Sequence, residues 1–326
     1  RNMIVEREMT RVQYNGSMYI IKPVPELGFN IVAWAALKPL AETWHRQLLF
    51  WLPFGVLISL LAALFVLRIL RRIQSPRNRL LDAINSRDFV VHYQPIVALC
   101  SGKIVGAEAL TRWPQPDGSS LSPDIFIPLA EQTGLISQLT QLVIEKVFED
   151  MGSWLHLHPD QHISINLAPA DLTSGTLPPL LSHLLNKWKV HPGQIALEVT
   201  ERGFADPAVS VPAIAAFRRA GHAIYIDDFG TGYSSLSYLQ DLDVDTLKID
   251  KSFVDALEYK NVTPHIIEMA KSLKLAMVAE GIETEGQIEW LHRHGVQYGQ
   301  GWYFSKALPK EDFILWAGHN LEKHIT

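Results

Sequence analysis

The spacing of apolar positions changes character three times along the chain. Between residues 11 and 37 it alternates: Arg11-Val12-Gln13-Tyr14 and Ser17-Met18-Tyr19-Ile20-Ile21 flank Asn15-Gly16, and a run from Gly28 to Trp34 follows a proline-containing loop. A period of two predicts strands, and Asn-Gly tolerates the positive φ that a tight hairpin turn demands. Two or three strands do not hold together in water, so residues 1–46 are expected to be the C-terminal remnant of a β-rich domain whose other strands lie upstream. From 47 to 67 the chain carries no charge. About 20 apolar residues at ~1.5 Å rise span a hydrocarbon core of roughly 30 Å, which predicts a transmembrane helix that tolerates Pro53 and Gly55. Residues 68–88 then read as a linker helix with Ile73, Leu80, Leu81 and Ile84 on one face and a break at Pro76.

From 89 to 326 short apolar runs alternate with amphipathic stretches. The runs fall at 90–97, 104–113, 162–167, 195–200, 223–226, 246–249, 276–279 and 298–304, and the helical stretches at 137–154, 179–189, 211–220, 252–273, 285–294 and 311–319. Repeated βα units of this number predict an α/β fold, a TIM-type (β/α)8 barrel. No Gly-x-Gly-x-x-Gly fingerprint follows the first run to favour an open doubly wound sheet.

Charge adds an orientation. Arg68, Arg71, Arg72, Arg77 and Arg79 crowd the C-terminal side of the apolar span, against His45 and Arg46 on the other. The positive-inside rule then places the barrel in the cytoplasm and residues 1–46 on the opposite side of the membrane. A net charge of −5 and a pI near 6.2 argue against a surface for nucleic-acid polymers. The single cysteine, Cys100, excludes an internal disulfide framework and a multi-cysteine zinc site. Arg1-Asn2-Met3 shows no signal-peptide pattern, and the chain is expected to start inside a longer protein.

The candidate chemistry lies at the ends of the barrel strands. Ile224-Tyr225-Ile226 runs into Asp227-Asp228, then Phe229-Gly230-Thr231-Gly232. Glu108, Asn166, Glu198, Lys248, Glu280 and Gln300 occupy comparable positions in the other runs. Any one of these is an ordinary cap or turn former. Parallel strands, however, deliver their C-terminal ends to one rim, so the set converges on one pocket. Carboxylates packed together repel and take up protons unless cations neutralise them. Oxygen donors without a histidine pair or cysteine cluster select Mg²⁺, Mn²⁺ or Ca²⁺ over zinc. Two cations bridged by Asp227 would suit phosphodiester hydrolysis, with Lys248 holding the attacking water or offsetting charge on phosphorus. A buried lysine that only pairs with neighbouring acids is the alternative.

Glu108-Ala109-Leu110-Thr111-Arg112-Trp113, the segment Asp227 to Leu236, Leu247-Lys248-Ile249-Asp250 and Glu280-Gly281-Ile282-Glu283 together resemble, in order, the motifs of EAL-domain cyclic di-GMP phosphodiesterases. The resemblance runs from about residue 80 to about 320. It implies a barrel whose first strand is antiparallel to the rest, and hydrolysis of cyclic di-GMP to linear pGpG in response to an extracytoplasmic signal. It also implies two Mg²⁺ or Mn²⁺ ions per site, with Ca²⁺ inhibitory. Glu108, Asn166, Glu198 and Asp227 would ligate one metal, and Asp227 with Asp228 the second. Glu280 and Gln300 would stand close through water, and Lys248 would orient the nucleophile. Leu110 and Arg112 would touch substrate, as would Gln300. Glu201 and Glu283 would stabilise the loop that begins at Asp228 and links homodimerisation to activity. Trp302-Tyr303, Ala307 and Arg202-Gly203 depart from the usual residues, which leaves the guanine contacts and the loop unassigned. No Gly-Gly-Asp-Glu-Phe cyclase motif is present. The rival reading is a receptor that binds the dinucleotide without cleaving it.

Overall fold

The computed structural model describes residues 9–73, 75–204, 206–227, 229, 243–257 and 262–322. It divides into two units, Arg1–Ser75 and Pro76–Thr326. In the first, β1 (Thr10–Tyr14), β2 (Ser17–Val24) and β3 (Phe29–Ala36) form an antiparallel sheet in that order. The β1–β2 turn holds Asn15 at φ 44° and Gly16 at φ 72°, the paired positive angles that Asn-Gly supplies most cheaply. Ile31 and Val32, on opposite faces of β3, are both exposed, so the three strands bury neither face.

The helix that follows, Lys38–Ile73, contains one stretch, Arg46–Arg68, long and apolar enough to cross a membrane. It outruns the apolar span at both ends. Hydropathy sets the span, but the flanks Ala41-Glu42-Thr43-Trp44-His45-Arg46 and Arg68-Ile69-Leu70-Arg71-Arg72-Ile73 carry no helix breaker. Pro76 instead opens the next helix, Pro76–Asn85, at the first position, where its missing N–H costs nothing.

In the second unit the barrel strands are β4 (Val90–Ala98), β5 (Ile104–Pro114), β7 (His162–Leu167), β8 (Ile195–Thr200), β9 (Ile224–Asp227), β10 (Thr246–Ile249), β11 (Ala276–Ala279) and β12 (Tyr298–Gly299). A two-residue strand, β6 (Ser120–Leu121), extends β5 as a hairpin. Among the described residues these eight strands close in the order β4-β12-β11-β10-β9-β8-β7-β5, with β4 pairing β5. β4 is antiparallel to both its neighbours, β5 and β12, while the other pairings are parallel.

Alternation divides each strand between two environments. Ile163, Ile165, Leu197, Val199, Ile224, Ile226, Leu247 and Ile249 point outward and are at most 1% exposed beneath the helices. The longest of those helices, Ile136–Leu157, buries Leu139, Ile144, Phe148, Met151 and Leu155. It meets the helix Leu177–Trp188 closely, because a Cβ on Gly152 would lie 2.6 Å from the Trp188 ring.

Two expected elements are shorter than the pattern suggested. The run at 298–304 is a strand only over Tyr298–Gly299. Gly301 packs against Ile282 so tightly that a Cβ would fall 2.2 Å from its backbone nitrogen, and Tyr303 N–H donates to the Ile282 carbonyl at 2.9 Å. The chain therefore leaves the sheet. The stretch 252–273 is two helices, Lys251–Asp255 and Val262–Ser272. Pro264 sits in the first turn of the second, where proline is tolerated and a helix interior would not be. The helices Pro123–Thr133 and Pro169–Thr173 were not anticipated from periodicity.

Candidate active site

Glu108 leaves β5, Asn166 β7, Glu198 β8, Asp227 β9 and Lys248 β10, all on the inward register, and Glu280 and Gln300 follow β11 and β12 directly. Lys248 is 1% exposed, and its ammonium stands at the centre of the group. Nζ lies 2.7 Å from Glu198 Oε2, 2.7 Å from Glu280 Oε1, 3.2 Å from Asp227 Oδ1 and 3.3 Å from Glu108 Oε2. Glu108 also accepts from Asn166 Nδ2 at 2.8 Å and from Gln300 Nε2 at 2.7 Å, and the latter reaches Glu280 at 3.1 Å. Six of the seven expected groups are thus tied directly to Glu108 or Lys248, and the seventh residue, Glu108, joins the two sets. Asp228 and the loop 230–242 lie outside the described residues.

The electrostatics follow from four acids and one base out of water. Burial opposes the charge on Lys248, but Glu108, Glu198, Glu280 and Asp227 outweigh it and hold the ammonium well above its ordinary pKa. Burial also pushes Glu108 upward, yet Lys248 and the amides of Gln300 and Asn166 bring it net below the usual carboxylate value. Glu198 has no such amide support; burial, reinforced by Glu108 and Asp227, raises it well above. Burial carries Glu280 to about 8, with Lys248 opposing. If all four acids ionise, three negative charges remain uncompensated around one ammonium. Such a site either holds protons or attracts cations.

The donor set fits a hard divalent cation. Glu108, Glu198 and Asp227 each offer a carboxylate oxygen within 4.8 Å of the others. Glu198 Oε1 and Asp227 Oδ1 are buried without a hydrogen-bond partner, although Asp227 Oδ1 feels the Lys248 charge. Buried oxygens are rarely left so, and a cation would satisfy them. Asn166 is exposed at the mouth of the group, beside Glu108.

The remaining expected residues surround this centre. Leu110 and Arg112 continue the inward face of β5 beyond Glu108 and are partly buried. Arg112 Nη1 donates to the Thr111 carbonyl at 3.0 Å, and among the described residues no carboxylate pairs with its guanidinium. Glu283 pairs with Lys251, and Glu201 is 9% exposed in a short 3-10 turn after β8. One rim residue was missed. Gln94 on β4 is register partner to Glu108 and donates to the Ser305 carbonyl at 3.3 Å. Because β4 runs the other way, it offers its N-terminal half to this rim, where a search of C-terminal strand ends does not look. Beneath the acids lie Ser164, with a buried unpartnered hydroxyl, and the His162–Tyr225 pair at 3.0 Å.

Comparison with known proteins agrees with the motifs. A family model described as "EAL domain" matches residues 77–307. The chain is 68% identical over 310 residues to the probable cyclic di-GMP phosphodiesterase PdeB of Escherichia coli (strain K12), covering 95% of this chain and 60% of that protein. It is 37% identical over 272 residues to the probable cyclic di-GMP phosphodiesterase PdeG of the same organism, covering 80% and 54%. The chain therefore spans little more than half the length of these curated relatives. The solved structure of the PaMucR phosphodiesterase in complex with c-di-GMP superposes with a TM-score of 0.68 at 36% identity, covering 72% of this chain and 99% of that one.

Proposed function

The chain belongs to the EAL-domain family, and from that premise we propose that it hydrolyses cyclic di-GMP to linear pGpG by a two-metal-activated water. One observation carries the reading. Glu108, Asn166, Glu198, Asp227, Lys248, Glu280 and Gln300, drawn from seven separate strands, meet in a single hydrogen-bonded and ion-paired cluster with unsatisfied carboxylate oxygens.

Glu108, Asn166, Glu198 and Asp227 would hold one divalent cation, and Asp227 with Asp228 a second. When bound, such a pair supplies Lewis-acid stabilisation of charge on the phosphodiester and a more acidic water. Mg²⁺ or Mn²⁺ is the proposed ion; Ca²⁺, larger and looser in its coordination, would inhibit. Lys248 stays protonated and orients the attacking water while offsetting charge that develops on phosphorus. Glu280 shares that ammonium and, as a catalytic residue, would stand beside the attacking water, with Gln300 holding the Glu280 carboxylate. Arg112, half-buried and free of carboxylate partners among the described residues, would take a substrate phosphate, with Leu110 packing beside the dinucleotide. Glu201 and Glu283 would steady the loop after Asp228.

The same reading anchors the protein in the bacterial inner membrane through Arg46–Arg68, with the barrel cytoplasmic as a homodimer and the three-stranded sheet periplasmic. The basic residues after Leu67 support that orientation. Incubation with cyclic di-GMP and Mg²⁺, Mn²⁺ or Ca²⁺ in turn, followed by chromatography, tests the chemistry. Linear pGpG is expected with the first two ions and not the third; tight binding with no product under any ion would identify a receptor instead.

A further inference from the structure

The carboxylates of the candidate cation site are not equally supported. Glu108 accepts from the amides of Asn166 and Gln300, and Gln300 also reaches Glu280. Among the described residues no side-chain amide holds Glu198 or Asp227. Both meet the Lys248 ammonium, at 2.7 and 3.2 Å, and both keep a buried oxygen without a hydrogen-bond partner. A carboxylate fixed at one point keeps other rotamers open unless packing closes them.

That packing comes from the tier of inward residues one step below. Gly106 precedes Glu108, Ala196 precedes Glu198 and Tyr225 precedes Asp227, each by two positions and so on the same strand face. Tyr225 is buried and is register partner to Glu198 on β8 and to Thr246 on β10. Its hydroxyl meets His162 Nε2 at 3.0 Å on β7, one strand beyond β8, so the ring crosses the interior face of β8 beneath Glu198. Two small residues admit the pair. Ala196 leaves the crossing open, and a Cβ on Gly106 would fall 2.8 Å from His162 Nδ1. The Val105 carbonyl takes the Nδ1 proton, which leaves Nε2 to accept from the phenol. Thr246 donates to the same phenol oxygen. Burial, and after it the Glu198 charge, pushes the Tyr225 pKa up, so the phenol keeps the proton this bond needs.

We propose that Tyr225, tethered by His162, is a positioning residue for Glu198 and Asp227: its ring is the floor that keeps both carboxylates turned toward a divalent cation. The inference rests on the cation-assisted reading above and adds a residue that acts through those two side chains. Groups that orient a metal's ligands from behind matter nearly as much as the ligands, and losing one typically costs about 10–100-fold in affinity. Gln300 supports Glu108 by a hydrogen bond, whereas Tyr225 supports Glu198 by contact and by filling the space into which it could turn. Phenylalanine would fill the same volume. It would leave His162 Nε2 without its donor and the ring angle unset, because the tether is the hydroxyl bond to a fixed imidazole.

The test is Mn²⁺ affinity, read from the paramagnetic resonance signal of the free ion in titrations of the whole chain in detergent, at a temperature well below every variant's thermal midpoint. Tyr225→Ala is expected to raise Kd about thirtyfold, and Tyr225→Phe and His162→Ala about fivefold each. His162→Gln, whose side-chain carbonyl can still accept from the phenol, should stay within about twofold of the parent. Tyr225→Phe combined with His162→Ala should lose no more than either alone, because both remove the same bond. A purely structural pair would lower midpoints and leave Kd of the folded protein at the parental value. Tyr225→Phe retains the ring volume and decides the matter even where Tyr225→Ala does not fold. Parental Kd in Tyr225→Phe, equal losses in His162→Gln and His162→Ala, or a double variant whose loss is the product of the two would each overturn the proposal. A parent that binds Mn²⁺ yet forms no pGpG defeats the hydrolytic reading alone, and the Kd series still decides on Tyr225. Absence of Mn²⁺ binding by the parent defeats both.

Discussion

The outer and inner faces of strands β7 to β10 share one backbone and obey opposite rules. Outward, Ile163, Ile165, Leu197, Val199, Ile224, Ile226, Leu247 and Ile249 are almost wholly buried against helices and contribute through dispersion and area removed from water. Inward, Glu198 and Asp227 pair with Lys248 in ion pairs whose desolvation consumes most of what their attraction returns, and Asn166 donates a hydrogen bond to Glu108. The difference teaches where stability and function reside in this barrel. The apolar face holds the strands rigidly enough that the polar face can keep mutually repelling groups within a few ångströms. An active site of this kind is a local cost sustained by the packing behind it.

Substitutions on the two faces should separate these contributions. The largest effect is expected from Glu108→Ala, which removes one oxygen donor of the candidate cation site and leaves Lys248 paired with three other acids. Hydrolysis of cyclic di-GMP should fall on the order of 10⁴-fold, about 5.5 kcal/mol of barrier, while the thermal midpoint changes little. Parental turnover in that variant would remove Glu108 from the mechanism. Leu197→Ala, next to Glu198 but facing outward, should do the reverse. Its cavity should cost about 4 kcal/mol of unfolding free energy in denaturant titration, with cation affinity of the folded protein near the parental value. Equal damage to both quantities would mean that the faces are not separable.

A smaller effect sharpens the comparison at the floor of the barrel. Burial lowers the pKa of His162 to about 4 from an ordinary 6.5, with a backbone hydrogen bond at Val105 opposing. The imidazole is therefore neutral in the fold where the unfolded chain would protonate it. Its contribution to stability is complete above about pH 6.5 and is lost as pH falls toward 4, amounting to on the order of 3 kcal/mol. Unfolding free energies for the parent and His162→Gln, measured across that window, should diverge in slope, with the variant flatter. Parallel curves would show that the ring is not held neutral.

Much of the molecule was legible before any coordinates. The Asn15-Gly16 hairpin, the charge-free span and the strand starts all came from residues within a few positions of one another. The seven polar groups were also found, because a polar residue interrupting or following an apolar run is a local signal, although Glu108 lies in the middle of β5 and not at its end. What escaped shows the limit of that signal. The helix Lys38–Ile73 outran its apolar span because helix propensity continues where hydropathy stops. The run 298–304 looked like a strand because the pattern does not register that Gly301 sits on the Ile282 backbone. Gln94 was passed over because strand direction is not written in alternation.

The chain by itself thus determined its periodicities, its turn chemistry, its membrane-length helix and its family, all of them carried by short stretches. Only closure of the barrel decided that Lys248 stands among four carboxylates and that Gln94 reaches the same rim. The physical reason is sequence distance. Gln300 bonds to Glu108 across 192 residues, and Lys248 meets Glu198 across 50, so these partners are brought together by strand order and register and not by any pattern a local window contains.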